Sequence, residues 1–171
     1  LRKVLEHRPE LVYSISATTR APRPGEQEGK DYFFVSTAEF RMGIEAGRFA
    51  EWAEVHGHLY GTSEDFFQSQ TSLGKDVILD IDTQGALQLK SKHPEAILIF
   101  LVPPSLEELE RRLRGRKTES DDAVERRLGV AKREMELSDA YNHIIVNSDI
   151  EGAAKDVEIV IDRERGCRQP P

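Results

Sequence analysis

Cysteine is nearly absent. The single residue, Cys167, excludes an intramolecular disulfide and a zinc site built on paired thiolates. Long apolar runs are missing too, and no stretch approaches the roughly 20 residues a membrane-spanning helix needs. The opening Leu1-Arg2-Lys3-Val4-Leu5-Glu6-His7-Arg8 is too polar for a secretory signal. Bases are outnumbered: 24 Lys and Arg stand against 31 Asp and Glu, a net charge of −7. That balance argues against a chain built to coat nucleic acid, while leaving room for local basic clusters that hold a phosphate. No repeat and no low-complexity tract is visible. What remains is 171 residues, 38% hydrophobic and 32% charged. This suffices for one domain with an attached lobe or lid and a sizeable core. The expectations are no nucleic-acid partner, no membrane partner, a reducing cytoplasmic location, and a monomer or homodimer.

Short apolar runs alternate with amphipathic stretches, the pattern of a parallel α/β sheet. Strands are expected at Leu11 to Ser16, Val77 to Asp82, Ala96 to Val102 (stopped by Pro103-Pro104) and His143 to Asn147. Helices are expected from the Ser105…Glu108 capping box to about Arg114, from Ser120 to about Ser138, and from Ile150 to about Arg163 behind an Asp149 cap. The ending from Arg165 reads as a frayed tail. Between Lys30 and Gly61 the rhythm changes. Tyr32 to Val35, Phe49 to Val55 and His58 to Tyr60 read as closely spaced strands, with a helix from Thr37 to Ala46 ended by Gly47 and a hairpin turn at Gly57. The expected division is a core of residues 1–29 and 63–171, with a lid at about 105–138, and an inserted lobe of residues 30–62.

Four constellations bear on chemistry. Ser16-Ala17-Thr18-Thr19-Arg20-Ala21-Pro22-Arg23 follows a strand end, where ligands of open α/β sheets sit. Its two arginines can aim guanidinium forks at one anion, and the prolines reduce the entropy lost on ordering the loop. Alone, the segment is better explained by a solvated basic loop. Asp80 and Asp82 close a core strand on one face and need partners there: arginines, substrate hydrogens or the water shell of Mg²⁺. Glu51 lies beside Trp52, a hairpin away from Tyr60-Gly61-Thr62, and can accept two hydrogens from a planar base, while Tyr32 and Tyr60 offer phenolic donors. Each tyrosine taken singly is better explained by packing. Finally, Arg111-Arg112-Leu113-Arg114-Gly115-Arg116-Lys117 precedes a helix with Arg126-Arg127, a composition suited to a lid over polyphosphate or to an exposed helical hairpin. His56 and His58 would share a strand face, but no third ligand completes a metal site, so no metal ligand is expected.

Together these stretches resemble guanylate kinase. The matching segments are Ser14 to Arg23, Gly29-Lys30-Asp31-Tyr32, Phe49-Ala50-Glu51-Trp52-Ala53, Tyr60-Gly61-Thr62, Ile78 to Gly85 and Ile145-Val146-Asn147, in the family's order over nearly the whole chain. The resemblance implies a P-loop NTPase-like parallel sheet flanked by helices, a mixed α+β GMP-binding lobe and a helical lid. It implies transfer of the γ-phosphoryl group of ATP to GMP with Mg²⁺, in purine nucleotide metabolism. By motif, Arg20, Arg23, Tyr32 and Tyr60 would clamp the GMP phosphate. Glu51, Ser16, Thr62 and Asp82 would read guanine, and Asp80 would orient phosphate-side groups or Mg²⁺ water. Arg116 and Arg127 would reach the transferring phosphoryl group, and Asn147 would lie near the adenine of ATP.

The sequence departs from the family in two places. Lys117 stands where the family usually has Gly after the lid arginine. No G-x-x-x-x-G-K-[ST] loop is present, and Lys3 has no glycine loop before it to take the part of the loop lysine. The first residues resemble the helix that follows such a loop. The expectation is a longer protein whose start supplies it, with these 171 residues inactive alone. The alternative is an inactive guanylate-kinase-like module that holds a protein or phosphopeptide.

Overall fold

A computed structural model describes residues 1–115 and 120–168. In chain order the elements are α1 (Arg2–His7), β1 (Val12–Tyr13), β2 (Ala17–Thr18), β3 (Phe33–Phe34), α2 (Thr37–Glu45), β4 (Phe49–Val55), β5 (His58–Ser63), α3 (Glu64–Ser72), β6 (Val77–Ile78) and α4 (Thr83–Lys92). They continue with β7 (Ile99–Val102), α5 (Leu106–Gly115), α6 (Asp121–Met135), a 3-10 turn at Ser138–Ala140, β8 (His143–Val146) and α7 (Ile150–Arg168). Two compact units result. One is Leu5–Ala96; the other joins Leu1–Val4 to Ile97–Pro171. No helix among the described residues is long and apolar enough to cross a membrane.

In the Leu5–Ala96 unit, β1 pairs in parallel with β6, and a four-stranded sheet runs in the order β3-β2-β5-β4. The expected strand from Leu11 to Ser16 therefore forms only at Val12–Tyr13, and Ala17–Thr18, beyond it, belongs to the other sheet. After Ser16 the chain changes sheets, because its hydroxyls bind the lobe strand. Thr18 Oγ1 donates to the Leu59 carbonyl, and the Leu59 N–H donates to Thr19 Oγ1. The β4–β5 hairpin turns through His56 and Gly57, both at positive φ (52° and 80°), the conformation a two-residue turn requires. His56 thus sits in the turn and does not share a strand face with His58. A full capping box, Ser36 with Glu39, starts α2. The expected strand to Asp82 ends at Ile78. Asp82 accepts from the Gly85 N–H and caps α4, so Asp80 and Asp82 lie beyond the strand and do not share its face. Neither α3 nor α4 was expected. Ala50, Phe67 and Leu89 form the core beneath, with Val77, Leu79, Ile81 and Ala96 against it.

In the second unit β7 and β8 pair in parallel from Ile99↔His143 to Val102↔Val146. The Ser105 capping box is half made. Ser105 Oγ accepts from the Glu108 N–H, but the Glu108 carboxylate is held by Arg111 and Arg112 instead, which draw its pKa down to about 2. Ser120 and Asp149 cap α6 and α7, each through a backbone N–H three residues on. The last helix runs past the expected end at Arg163 to Arg168, with Glu164 tied to His143 Nε2 at 2.8 Å. Residues 169–171 of the expected frayed tail lie outside the described residues.

Candidate active site

The lobe sheet brings two groups of side chains to one face. Across the hairpin Glu51 stands opposite Thr62, and Tyr60 lies two residues from Thr62 on β5. Partners across a ladder and residues two apart point to the same side. At one end is Glu51, only 2% exposed. Thr62 Oγ1, itself fully buried, donates to Glu51 Oε1 at 2.6 Å. The other carboxylate oxygen lies against the first turn of α4, where a Cβ on Gly85 would fall 2.2 Å from Glu51 Oε2 and 3.3 Å from Asp82 Oδ1. Burial pushes the Glu51 carboxyl above the usual carboxylate range, and the nearby Asp82 adds to this; the Thr62 hydroxyl and the Lys92 ammonium act the other way.

At the other end is Arg20. Its Nε donates to Tyr60 Oη at 3.2 Å, and its Nη2 donates to Glu26 Oε1 at 2.8 Å. Its guanidinium sits 5.2 Å from the centroid of the Tyr32 ring, and the Tyr32 and Tyr60 rings meet edge to face at 5.9 Å. Hydrogen bonding to Glu26 holds the Arg20 pKa above its ordinary value and the Glu26 pKa below its own. Glu26 also accepts from the Arg23 N–H, so one carboxylate fixes both ends of the arginine loop, while the Arg23 guanidinium stands exposed. Asp80 is exposed nearby, and its charge helps raise the Tyr13 and Tyr32 hydroxyls, whose shifts come first from burial. Ser16 is buried just before β2, its carbonyl accepting from the Phe33 N–H.

The structure therefore gathers Glu51, Thr62 and Asp82 at one end, Arg20, Tyr32 and Tyr60 at the other, and places Ser16, Arg23 and Asp80 in the same unit. Arg127 and Asn147 belong to the second unit. Asn147 follows β8, its backbone carbonyl accepting from Arg112 Nη1 at 2.9 Å. Arg116 and Lys117 lie outside the described residues. Among the described residues no three His, Cys, Asp or Glu side chains gather to hold a metal ion. Sequence reasoning passed over Glu26, Gln88 and Lys92. Glu26 carried a usable signal, an acid three residues after the loop's second arginine.

The guanylate kinase family model matches residues 2–164. The chain belongs to the guanylate kinase family. It is 48% identical over 167 residues to the guanylate kinase of Geobacter sulfurreducens, covering 98% of this chain and 82% of that protein. It is 48% identical over 163 residues to the guanylate kinase of Rubrobacter xylanophilus, covering 95% and 85%. The crystal structure of guanylate kinase from Anaplasma phagocytophilum superposes with a TM-score of 0.81 at 38% identity, over 95% of this chain and 79% of that one. The α/β architecture is accordingly the P-loop NTPase-like fold of a nucleoside monophosphate kinase.

Proposed function

We propose that the face carrying Glu51, Thr62, Asp82, Arg20, Tyr32 and Tyr60 binds GMP for phosphoryl transfer from ATP, giving ADP and GDP. Guanylate kinase function follows from the family; the assignment of roles to residues is the proposal. The observation that carries it is the Glu51 carboxylate, 2% exposed and on one face with the Arg20–Tyr60 pair.

Guanine presents N1–H and N2–H₂ side by side, and one carboxylate accepts both. Adenine presents an acceptor at N1, which would leave the buried carboxylate unpaired. Stranding a buried polar group in this way can disfavour the wrong base by roughly 10⁴-fold. Thr62, Ser16 and Asp82 supply the remaining polar contacts to the base. Arg20 and Arg23 take the phosphate, with Tyr32 and Tyr60 donating from below. Tyr60 Oη accepts from Arg20, so its own proton is available for a phosphate oxygen.

ATP brings Mg²⁺. With its exposed carboxylate, Asp80 would accept from a water of an ion brought in on the nucleotide phosphates, or orient phosphate-side groups. When bound, the ion neutralises charge on the transferring group. Arg127, with Arg116, stabilises that group from the segment 105–138, which acts as the lid; Asn147 meets the adenine. Residues 30–62 form the GMP lobe, into whose sheet Ala17–Thr18 is paired. Residues 1–29 and 63–171 form the core. A cytoplasmic location and a monomeric or homodimeric state complete the reading.

The test is a coupled ADP-release assay on the full-length protein with GMP, dGMP, AMP and UMP. Rapid turnover of the two guanine nucleotides, with AMP slower by orders of magnitude, is the expected result. Comparable turnover of AMP, or none of GMP, would overturn it.

A further inference from the structure

We propose that Gln88 and Lys92, on α4, are positioning residues that set guanine selectivity by fixing the backbone on both sides of Glu51. The inference rests on the reading that Glu51 meets the base.

Strand β4 lies at the edge of its sheet, and its register slips between Phe49 and Glu51. An edge strand with a bulge leaves N–H and C=O groups that β5 does not satisfy, and these need partners where water is excluded. Ala50 is fully buried and Trp52 partly so. The partners come from one helix. Lys92 Nζ donates to the Ala50 carbonyl at 2.8 Å and to the Phe49 carbonyl at 3.1 Å. Gln88 Nε2 donates to the Trp52 carbonyl at 2.8 Å, and Gln88 Oε1 accepts from the Trp52 N–H at 3.3 Å. The Gln88 amide thus occupies the place of a neighbouring strand.

These bonds bracket Glu51: two just before it and two just after. They hold its peptide planes and so the direction in which its side chain leaves β4. Gly85, Gln88 and Lys92 recur at helical spacing on one face of α4. At Gly85 the absence of a side chain leaves room for Glu51 Oε2. One helix face therefore grips the strand and admits the carboxylate. Neither Gln88 nor Lys92 is needed to touch the base or the phosphates; each acts through the backbone.

A purely structural role would lower activity on every substrate alike. A positioning role changes the choice between bases. The experiment compares GMP with IMP, which lacks the 2-amino group, in steady-state kinetics of the full-length enzyme carrying Gln88→Leu, Lys92→Met, Lys92→Arg or Glu51→Gln. For Gln88→Leu and Lys92→Met the KM for GMP should rise about tenfold, as expected when a misdirected Glu51 loses about one hydrogen bond's worth of its hold on the base, with kcat within about twofold. The preference for GMP over IMP should shrink, and Lys92→Arg, which keeps two donors, should restore it. If Gln88→Leu fails to fold, the two Lys92 variants carry the comparison. A Glu51→Gln enzyme with unchanged GMP KM would refute the base-reading role itself. If Glu51→Gln weakens GMP but the α4 variants keep the wild-type preference, or lose kcat equally on both substrates, the positioning role is refuted.

Discussion

Replacing Glu51 by Gln should move binding and stability in opposite directions. The carboxylate offers two acceptors, one facing Thr62 and one facing the first turn of α4. An amide keeps one acceptor and turns the other position into a donor, which opposes a guanine N–H. Hydrogen bonds to a charged partner are worth about 1.5–3 kcal/mol each. Losing one, and the charge assistance of the second, should cost about 3 kcal/mol, a rise in the GMP Kd of about 100-fold. The fold should gain. Burial holds the Glu51 pKa above its unfolded value, so between the two values the native state binds the extra proton, and stability falls as pH rises through that window. Gln carries no charge to bury. The variant's midpoint in thermal melting without nucleotide should therefore exceed the wild type's at neutral pH, and the gain should vanish once pH drops below the ordinary carboxylate range. Calorimetric titration of GMP and melting curves at several pH values test both arms. An unchanged Kd, or a variant less stable at neutral pH, would refute the reasoning.

Two further substitutions probe neighbouring parts. Gly85→Ala places a methyl 2.2 Å from Glu51 Oε2, too close for any contact, so the carboxylate must move. If the clash is met by displacing Glu51, at the roughly 1–3 kcal/mol typical of overpacking, GMP affinity should fall by about 5- to 150-fold on titration; unchanged affinity would mean the Glu51 position is not critical. Arg127→Ala should lower kcat by about 10³-fold while changing the GMP Kd little, as expected for a charge that acts on the transferring phosphoryl group. A loss confined to Kd, measured by single-turnover kinetics beside titration, would reassign Arg127 to ground-state binding.

The lobe was the most legible part of the sequence. Gly57 between two apolar runs announces a hairpin, and the hairpin register then sets Glu51 opposite Thr62. Less legible were positions whose partners are backbone groups remote in sequence. Gln88 and Lys92 are polar residues on a helix of weak amphipathicity, and nothing local separates them from a solvated face. Their meaning comes from a strand about 40 positions earlier whose edge needs covering. The acids Asp80 and Asp82 misled for a related reason. A polar end to an apolar run reads equally as a strand terminus or a helix cap, and the Gly85 N–H decides for the cap. The expected strand to Ser16 stops at Tyr13, and the chain beyond it joins the lobe sheet, where Thr18 and Thr19 bond the Leu59 carbonyl and N–H.

Two carboxylates in this unit are shifted in opposite directions, and the contrast orders the pocket's response to acid. Glu26 pairs with the Arg20 guanidinium, which holds its pKa down, whereas burial outweighs the Thr62 hydrogen bonds at Glu51 and lets it accept a proton more readily. As pH falls, Glu51 is neutralised first. If Glu51 reads the base as proposed, that recognition weakens while the arginine loop keeps its internal pair. On the proposed reading, the N–H groups of GMP replace the water that burial removed from Glu51. On the same reading, the phosphate would meet at Arg20 a cation already paired with an acid, so binding there would share or displace Glu26. Base selectivity and phosphate affinity would then be governed by separate charges, and a substitution at Glu26 would leave the choice of base unaltered.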